Sequence, residues 1–150
     1  MRSFAKRALK ILYIENLYIF EIFLSDMLVK EIMKTPFVVD KDISLKEAAK
    51  IMKDKKIGSL IFASDSKVKG IVTESDLTRD FGKQERISQI MNPKVITIDA
   101  EETVDIAVEM MKQNKIKRLP VLDRGKLVGI ITSTEIIANF EEIEEEFIFE

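Results

Sequence analysis

The chain has 150 residues, 46% of them hydrophobic and 33% charged, which is typical of a globular protein of one ordinary domain or two very small ones. It contains no cysteine and no histidine, which excludes thiol nucleophiles, disulfides, Cys/His zinc sites and triads that need an imidazole base. The net charge of −2 gives no overall electrostatic basis for binding nucleic acid. The near balance of 24 Lys+Arg and 26 Asp+Glu resembles heat-adapted proteins, and the lack of cysteine is compatible with the cytoplasmic location that we expect.

The first segment, residues 1–27, differs from the rest of the chain. Four basic residues within the first ten precede a very apolar stretch over residues 11–24, an order found in signal peptides and membrane anchors. Glu15, Asn16 and Glu21 interrupt this stretch, and carboxylates are costly at the centre of a membrane span. We therefore expect an amphipathic helix that packs on the protein or on a partner. The alternative is that translation starts at Met27 and that residues 1–26 are an over-called leader.

The main signal is an internal repeat over residues 28–140. The pattern Leu-x-x-Ala-x-x-x-Met at 45–52 recurs 59 positions later as Val-x-x-Ala-x-x-x-Met at 104–111. In the same register, Gly-Ile-Val-Thr at 70–73 recurs as Gly-Ile-Ile-Thr at 129–132. Two copies of one unit are therefore present.

Each copy predicts the order strand, helix, strand, strand, helix, which is a small α+β unit. In copy one these elements are an extended run at 37–39, a helix with the hydroxyl N-cap Ser44, strands at 59–62 and 68–72, and a helix starting at Thr73. In copy two they are a run at 95–98, a helix with the N-cap Thr103, strands at 119–122 and 127–131, and a helix starting at Thr132. The predicted apolar helix faces are Leu45, Ala48, Ala49, Ile51 and Met52, and Val104, Ile106, Ala107, Met110 and Met111.

These elements divide the chain into four parts. They are the N-terminal segment 1–27, repeat one at 28–86, repeat two at 87–140 and a C-terminal tail at 141–150. Six of the ten tail residues are glutamates, which predicts an acidic, solvated face.

A hydroxyl residue and an acid follow the last strand of each copy, as Thr73 with Asp76 and Thr132 with Glu135. Such pairs are capping boxes, in which the hydroxyl and the acid satisfy backbone N–H groups at a helix start. The same arrangement suits a ribose phosphate, because a helix N-terminus binds phosphate and an acid accepts both hydroxyls of a ribose. The residues alone leave both interpretations open. The pair in copy two is the poorer candidate, because its carboxylate lies one methylene further out.

The doubled pattern resembles the CBS domain pair, or Bateman module, the regulatory unit named after cystathionine β-synthase. The similarity lies in the Met-x-x-Pro start at 33–36, the Ala-x-x-x-Met helix, Gly-Ile-Val-Thr-Glu-Ser-Asp-Leu at 70–77 and Ile-Lys-Arg-Leu-Pro-Val-Leu-Asp at 116–123. The resemblance implies two repeats related by a pseudo-twofold axis, with two clefts that bind AMP, ADP, ATP or S-adenosylmethionine. It also implies a homodimer.

The resemblance further implies the binding residues of each cleft. At the first site, Thr73, Ser75 and Asp76 would bind phosphate and ribose, and the adenine would contact Thr35, Phe37, Val38, Ile57 and Gly58. At the second site, Thr132, Thr134 and Glu135 would act together with Ile96, Ile116 and Pro120. Many members of the family carry an arginine where this chain has Ser75 and Thr134, which leaves Arg79 and Arg118 as candidate cations for phosphate. So few fixed cations argue against a triphosphate preference, and Glu135 argues against occupancy of the second cleft.

Our leading hypothesis is a non-catalytic adenosine-nucleotide sensor that signals to a separate effector protein, with no catalytic cofactor and no metal. The alternative is a homodimerising scaffold whose Thr/acid pairs are only helix caps. An enzyme is disfavoured because no residue constellation beyond the caps converges on one place. Nucleic-acid and membrane partners are disfavoured because basic residues cluster only at positions 2–10 and acids interrupt the apolar stretch.

Overall fold

The computed structural model describes residues 18, 20–65 and 67–148, with side chains up to residue 140, and shows an α+β protein with two copies of one unit. Helix α1 covers residues 20–26. The first copy then contains α2 Val29–Ile32, β1 Val38–Val39, α3 Leu45–Lys55, β2 Ser59–Ser64, β3 Lys67–Thr73 and α4 Glu74–Arg79. The second contains α5 Ile87–Ile90, β4 Ile98–Asp99, α6 Val104–Asn114, β5 Arg118–Asp123, β6 Lys126–Thr132 and α7 Ser133–Ile148. The predicted α+β fold class and the tandem arrangement are confirmed.

Each copy builds a three-stranded sheet of the same topology, with orders β1-β2-β3 and β4-β5-β6. The first strand of each sheet is parallel to the second, and the second and third strands form an antiparallel pair. The register of that pair shifts between Phe62 and Ala63 in one sheet and between Val121 and Leu122 in the other. These shifts lie 59 positions apart, so the sequence period is repeated in the backbone itself.

The two predicted hydroxyl caps differ in the structure. Ser44 accepts a hydrogen bond from the Glu47 N–H at 3.2 Å, as an N-cap does. Thr103 occupies the equivalent position, but its side chain caps no backbone N–H, and its hydroxyl donates instead to the Asp105 carboxylate. The cap predicted at Thr103 is therefore wrong in its hydrogen bond, because an acid two residues on competes for the hydroxyl.

The buried faces of α3 and α6 are narrower than predicted. Each helix buries three positions, at Leu45, Ala48 and Met52 and at Val104, Ala107 and Met111. Ala49 is exposed at the flank of this stripe, and Ile106 is 41% exposed. Two residues correspond to about 200° of rotation on an α-helix, which places Ile106 opposite Val104. The prediction that Ala49 and Ile106 belong to the apolar faces is wrong.

Two hydrophobic cores lie behind the sheets, and each includes a one-turn helix from the start of the other copy. Ile87 and Ile90 of α5 belong to the core of the first sheet, whereas Val29 and Ile32 of α2 belong to the core of the second. Backbone hydrogen bonds fix this exchange. The N–H groups of Lys34 and Ile130 donate to each other's carbonyls at 2.9 and 2.8 Å, and those of Asn92 and Ile71 do so at 3.0 and 3.2 Å. The sequence did not predict α2 or α5.

The described part of the predicted N-terminal helix, residues 20–26, is helical and packs on the second core. Leu24 is buried there, and the Phe20 ring meets Phe140 of α7 edge-on with centroids 4.4 Å apart. Most of the N-terminal segment and the side chains of the acidic tail lie outside the described residues, so both remain predictions there. Within the described ranges, the helices are too short or too polar to serve as membrane spans.

Candidate functional site

A cleft of about 450 Å³ lies between the two repeats. This volume falls within the usual range for small-molecule sites. One wall comes from the end of β3 and the start of α4, and the other comes from residues 92–96 and the turn between α6 and β5. The lining residues are Ile71, Thr73, Glu74, Ser75 and Asp76 on the first wall, and Asn92, Lys94, Val95, Ile96, Lys115, Ile116, Lys117, Arg118 and Pro120 on the second.

On the first wall, Thr73 and Asp76 form a reciprocal capping box. The Thr73 N–H and hydroxyl donate to Asp76 Oδ2 at 2.9 and 2.8 Å, and the Asp76 N–H donates to Thr73 Oγ1 at 3.3 Å. Arg79 Nη1 lies 3.2 Å from Asp76 Oδ1. The capping interpretation of this pair is therefore confirmed, and both carboxylate oxygens already have partners.

The N-terminus of α4 has little left to offer a phosphate. The Glu74 N–H donates to the Gly58 carbonyl at 3.2 Å, and the N–H groups of Thr73 and Asp76 are used in the capping box. Three of the first four N–H groups thus donate to protein acceptors. The helix has only six residues, so few peptide dipoles add up at its end. Most N–H donors at this helix start are therefore already used within the protein.

The second wall combines apolar and cationic side chains. Ile96, Ile116 and Pro120 form its apolar part, and Lys94, Lys115, Lys117 and Arg118 carry its positive charge. Arg118 is half-buried and lies over Gly58, where a Cβ would stand 2.9 Å from its Nη1. Burial lowers the pKa of the Arg118 guanidinium, opposed by the charges of Glu74, Glu135 and Asp76. Arginine remains protonated under ordinary conditions, so this is a partly desolvated positive charge.

The predicted site residues are grouped differently from the expectation. The cleft brings Thr73, Ser75 and Asp76 together with the wall expected for the second site, namely Ile96, Ile116 and Pro120, and with Arg118. It does not include Thr35, Phe37, Val38, Ile57 or Gly58 in its lining. The reason is that the repeats face each other across the pseudo-twofold axis. The Thr73/Asp76 pair therefore lies opposite residues of repeat two, and Glu135 lies beside Lys34 of repeat one. Sequence order alone does not show this.

The comparisons with known proteins agree with this architecture. The sequence profile of the CBS domain matches residues 29–83 and 87–142, which is more than half of the chain. The chain belongs to the CBS domain family. The resemblance inferred from the sequence is thereby confirmed.

Among solved structures, the CBS domain pair of protein MJ0100 in complex with 5′-methylthioadenosine and S-adenosylmethionine is similar. It is 34% identical with a TM-score of 0.73, covering 78% of this chain and 98% of that one. The CBS domain-containing protein YhcV of Bacillus subtilis is 27% identical over 117 residues, covering 74% of this chain and 84% of that protein. A homoserine O-acetyltransferase of Methanohalobium evestigatum is 31% identical over 143 residues, but this chain spans only 28% of its length. That similarity thus covers a small part of the larger protein.

The Thr/acid pair of CBS repeat two has a different environment from that of repeat one. The Thr132 hydroxyl donates to Glu135, and the Glu135 N–H donates to Thr132 Oγ1 at 3.4 Å. Lys34 Nζ lies 3.7 Å from Glu135 Oε1, so a residue from the start of repeat one neutralises this acid. Thr134 is exposed on the first turn of α7.

Several side chains that line the cleft between the CBS repeats were not predicted from the sequence: Glu74, Asn92, Lys94, Lys115 and Lys117. Lysines are frequent in this chain, so no local pattern marked these three. Only the structure, in which the three lysines lie on one wall of the cleft, distinguishes them from the other lysines. The described residues contain no group of three or more acids placed to hold a metal ion.

Proposed function

We propose that this chain is a non-catalytic regulatory module that binds an adenosine ligand in the cleft between its two CBS repeats. The observation that carries the proposal is the cleft itself, which joins the Thr73/Asp76 pair of one repeat to the apolar Ile96/Ile116 wall of the other. The similar CBS pair of MJ0100, which is complexed with two adenosine compounds, supports this ligand class. The candidates are AMP, ADP, ATP and S-adenosylmethionine.

In this proposal each wall of the cleft binds a different part of the ligand. The purine would pack against the apolar surface of Ile96, Ile116 and Pro120. Burial of this apolar surface would be the main source of its binding free energy. Asp76 accepts the ribose hydroxyls, as an acidic residue does in dinucleotide folds. Because Asp76 also caps α4, the ribose must share or displace part of its bonding to Thr73 and Arg79.

Signalling would follow from the position of the ligand between the repeats. A ligand that contacts both walls stabilises one relative packing of the repeats, and it shifts that equilibrium only by its difference in affinity for the two states. A tenfold preference corresponds to about 1.4 kcal/mol. A separate effector protein in the cytoplasm would read the change.

We also propose that the module acts as a homodimer. The exposed side chains of Ile22 on α1 and Ile137 on α7, at 46% and 57% exposure, supply apolar surface near the second core that a second copy would cover. Light scattering of the purified chain tests this proposal, and a mass corresponding to one chain at all concentrations would overturn it.

The test of ligand binding is Asp76→Ala, compared with Ser44→Ala. Each variant removes a helix cap, so each should lose about 1 kcal/mol of stability. Only Asp76→Ala should weaken the adenosine ligand, by about tenfold or more, because only Asp76 lines the cleft. The ligand is first found by thermal shift, where saturation at about a hundred times Kd stabilises by about 2.7 kcal/mol.

Each negative result has a separate meaning. Equal affinity for the wild type and Asp76→Ala would show that the role given to Asp76 is wrong. Silence across AMP, ADP, ATP and S-adenosylmethionine would overturn the sensor and leave the scaffold, in which the Thr/acid pairs are caps and nothing more.

A further inference from the structure

The charged residues of the cleft are segregated between its walls. Lys94, Lys115, Lys117 and Arg118 stand on the wall from the second repeat, and Glu74 and Asp76 stand on the other. The positive charges exceed the negative ones by two. A ligand with several negative charges is therefore electrostatically complementary to this cleft, and a cationic ligand is not.

The fold does not require this wall to be cationic. The residues in the same places of the other repeat are Pro36, which lies 58 positions before Lys94, and Lys56, Gly58 and Ser59, which lie 59 positions before the other three. One of these four is a cation, although both repeats form the same sheet and the same helix-to-strand turn. Three of the four cations therefore have no counterpart in the other repeat, so the shared fold does not account for them.

Arg118 shows how the charge is positioned. Its guanidinium is half-buried over Gly58, and a Cβ at Gly58 would stand 2.9 Å from Nη1, so the guanidinium would have to shift. Gly58 has no positive φ, so backbone geometry does not require a glycine there, and the missing side chain leaves room for the guanidinium of Arg118. Among the described residues no carboxylate oxygen lies within 4.0 Å of the Arg118 guanidinium. A partly desolvated cation without an ion-pair partner is well placed to bind an anion that enters the cleft.

We propose that this cleft selects adenosine phosphates and discriminates against S-adenosylmethionine, with Lys94, Lys115, Lys117 and Arg118 binding the phosphate oxygens. The inference rests on the proposed function of the same cleft. It revises the expectation from sequence that fixed cations are too few for a polyphosphate. It also separates this chain from the MJ0100 pair, whose ligands are a neutral thioadenosine and a sulfonium cation.

The first experiment is titration calorimetry of the full chain with ADP, AMP, adenosine and S-adenosylmethionine. ADP should bind about tenfold or more tightly than adenosine, AMP should lie between them, and S-adenosylmethionine should bind no more tightly than adenosine. Raising the salt concentration from about 50 to about 300 mM should weaken ADP severalfold and leave adenosine nearly unchanged. Adenosine or S-adenosylmethionine binding as tightly as ADP would overturn the inference while leaving the proposed function intact. Silence for all four compounds would overturn the proposed function.

The second experiment assigns the selectivity to the cations. Arg118→Gln and Lys117→Gln should each weaken ADP by about fivefold or more and change adenosine by less than about twofold. Lys112→Gln removes an exposed charge from α6, outside the cleft, and should leave both ligands unchanged. Circular dichroism checks that Arg118→Gln folds, and Lys117→Gln is the safer variant because Lys117 is exposed. Equal losses for ADP and adenosine in the cleft variants, or an ADP loss in Lys112→Gln, would overturn the assignment.

Discussion

Gly129 provides a direct test of how the start of repeat one is attached to repeat two. In Gly129→Ala, the new Cβ would stand 2.3 Å from Met33 Sδ, 2.9 Å from its Cγ and 3.1 Å from its Cβ. Ordinary contacts between such atoms are about 3.5–4.0 Å, so the methionine would have to move by about 1 Å or more. Its backbone cannot easily retreat, because the Met33 N–H donates to Val29 and the adjoining Lys34 exchanges two hydrogen bonds with Ile130.

We therefore expect Gly129→Ala to lower the free energy of unfolding by about 1–3 kcal/mol, the usual cost of overpacking. Urea denaturation measures this loss, and the slope of the transition should stay unchanged because the variant and the wild type expose the same additional surface on unfolding. Met33→Ala removes the Sδ and Cγ atoms that cause the clash. Combining it with Gly129→Ala should give a double variant more stable than the two separate losses predict, by about 1 kcal/mol or more.

Two outcomes would refute this reasoning. A stability of Gly129→Ala within about 0.5 kcal/mol of the wild type would mean that the methionine moves aside freely. Additivity of the two substitutions within about 0.5 kcal/mol would mean that the loss has another origin. The same contact exists in the other repeat, where a Cβ at Gly70 would stand 2.4 Å from Met91 Sδ, so Gly70→Ala should behave alike.

Two further predictions concern helix caps and pH. Ser44→Ala should cost about 1 kcal/mol in thermal or urea unfolding, whereas Thr103→Val should cost less than about 0.5 kcal/mol, because only the Ser44 side chain accepts a helix N–H; equal costs would contradict the hydrogen bonding described here. Hydrogen bonds from Lys83 and then Arg79 hold the pKa of Asp80 below its ordinary value of 3.8. The folded state therefore binds this proton less readily than the unfolded state, so the stabilisation is complete above about pH 5 and is lost as the pH falls through the folded pKa. Asp80→Asn should flatten the acid limb of a stability-against-pH curve below about pH 4, and an unchanged limb would show that other carboxyls cause it.

The repeated unit could be predicted because its signals are local. The Ser44 cap, the paired strands and the Thr73 capping box each depend on residues close by in the chain, and the 59-residue period shows that the same local signals occur twice. Their order in the chain is also their order in each sheet. For such features, the residue types in a short stretch of sequence determine nearly all of the local structure.

The features that were missed have distant causes. Helices α2 and α5 are one turn long, too short for a hydrophobic period to be visible, and each is stabilised by a core that the other copy builds. Ile106 was assigned to a buried face by its type, although its angle around the helix places it in solvent. The crossing of the Thr/acid pairs to opposite repeats, and the convergence of the lysines, follow from the packing of the two sheets.

The charge distribution also suggests how binding would be converted into a signal. Strands β3 and β6 contact each other, and the exchanged segments around Lys34 and Asn92 pair each repeat with the other, so the two walls of the cleft are held side by side. On our proposal, the four cations of one wall repel one another and their side chains stay spread along that wall until an anion enters. Phosphate oxygens would neutralise this repulsion and gather Arg118 and the lysines around the bound ligand. A neutral adenosine gains the purine contact but relieves no repulsion, so it should occupy the cleft without driving the change. Binding and signalling would then depend on different parts of the same ligand, and the number of phosphates would set the strength of the response.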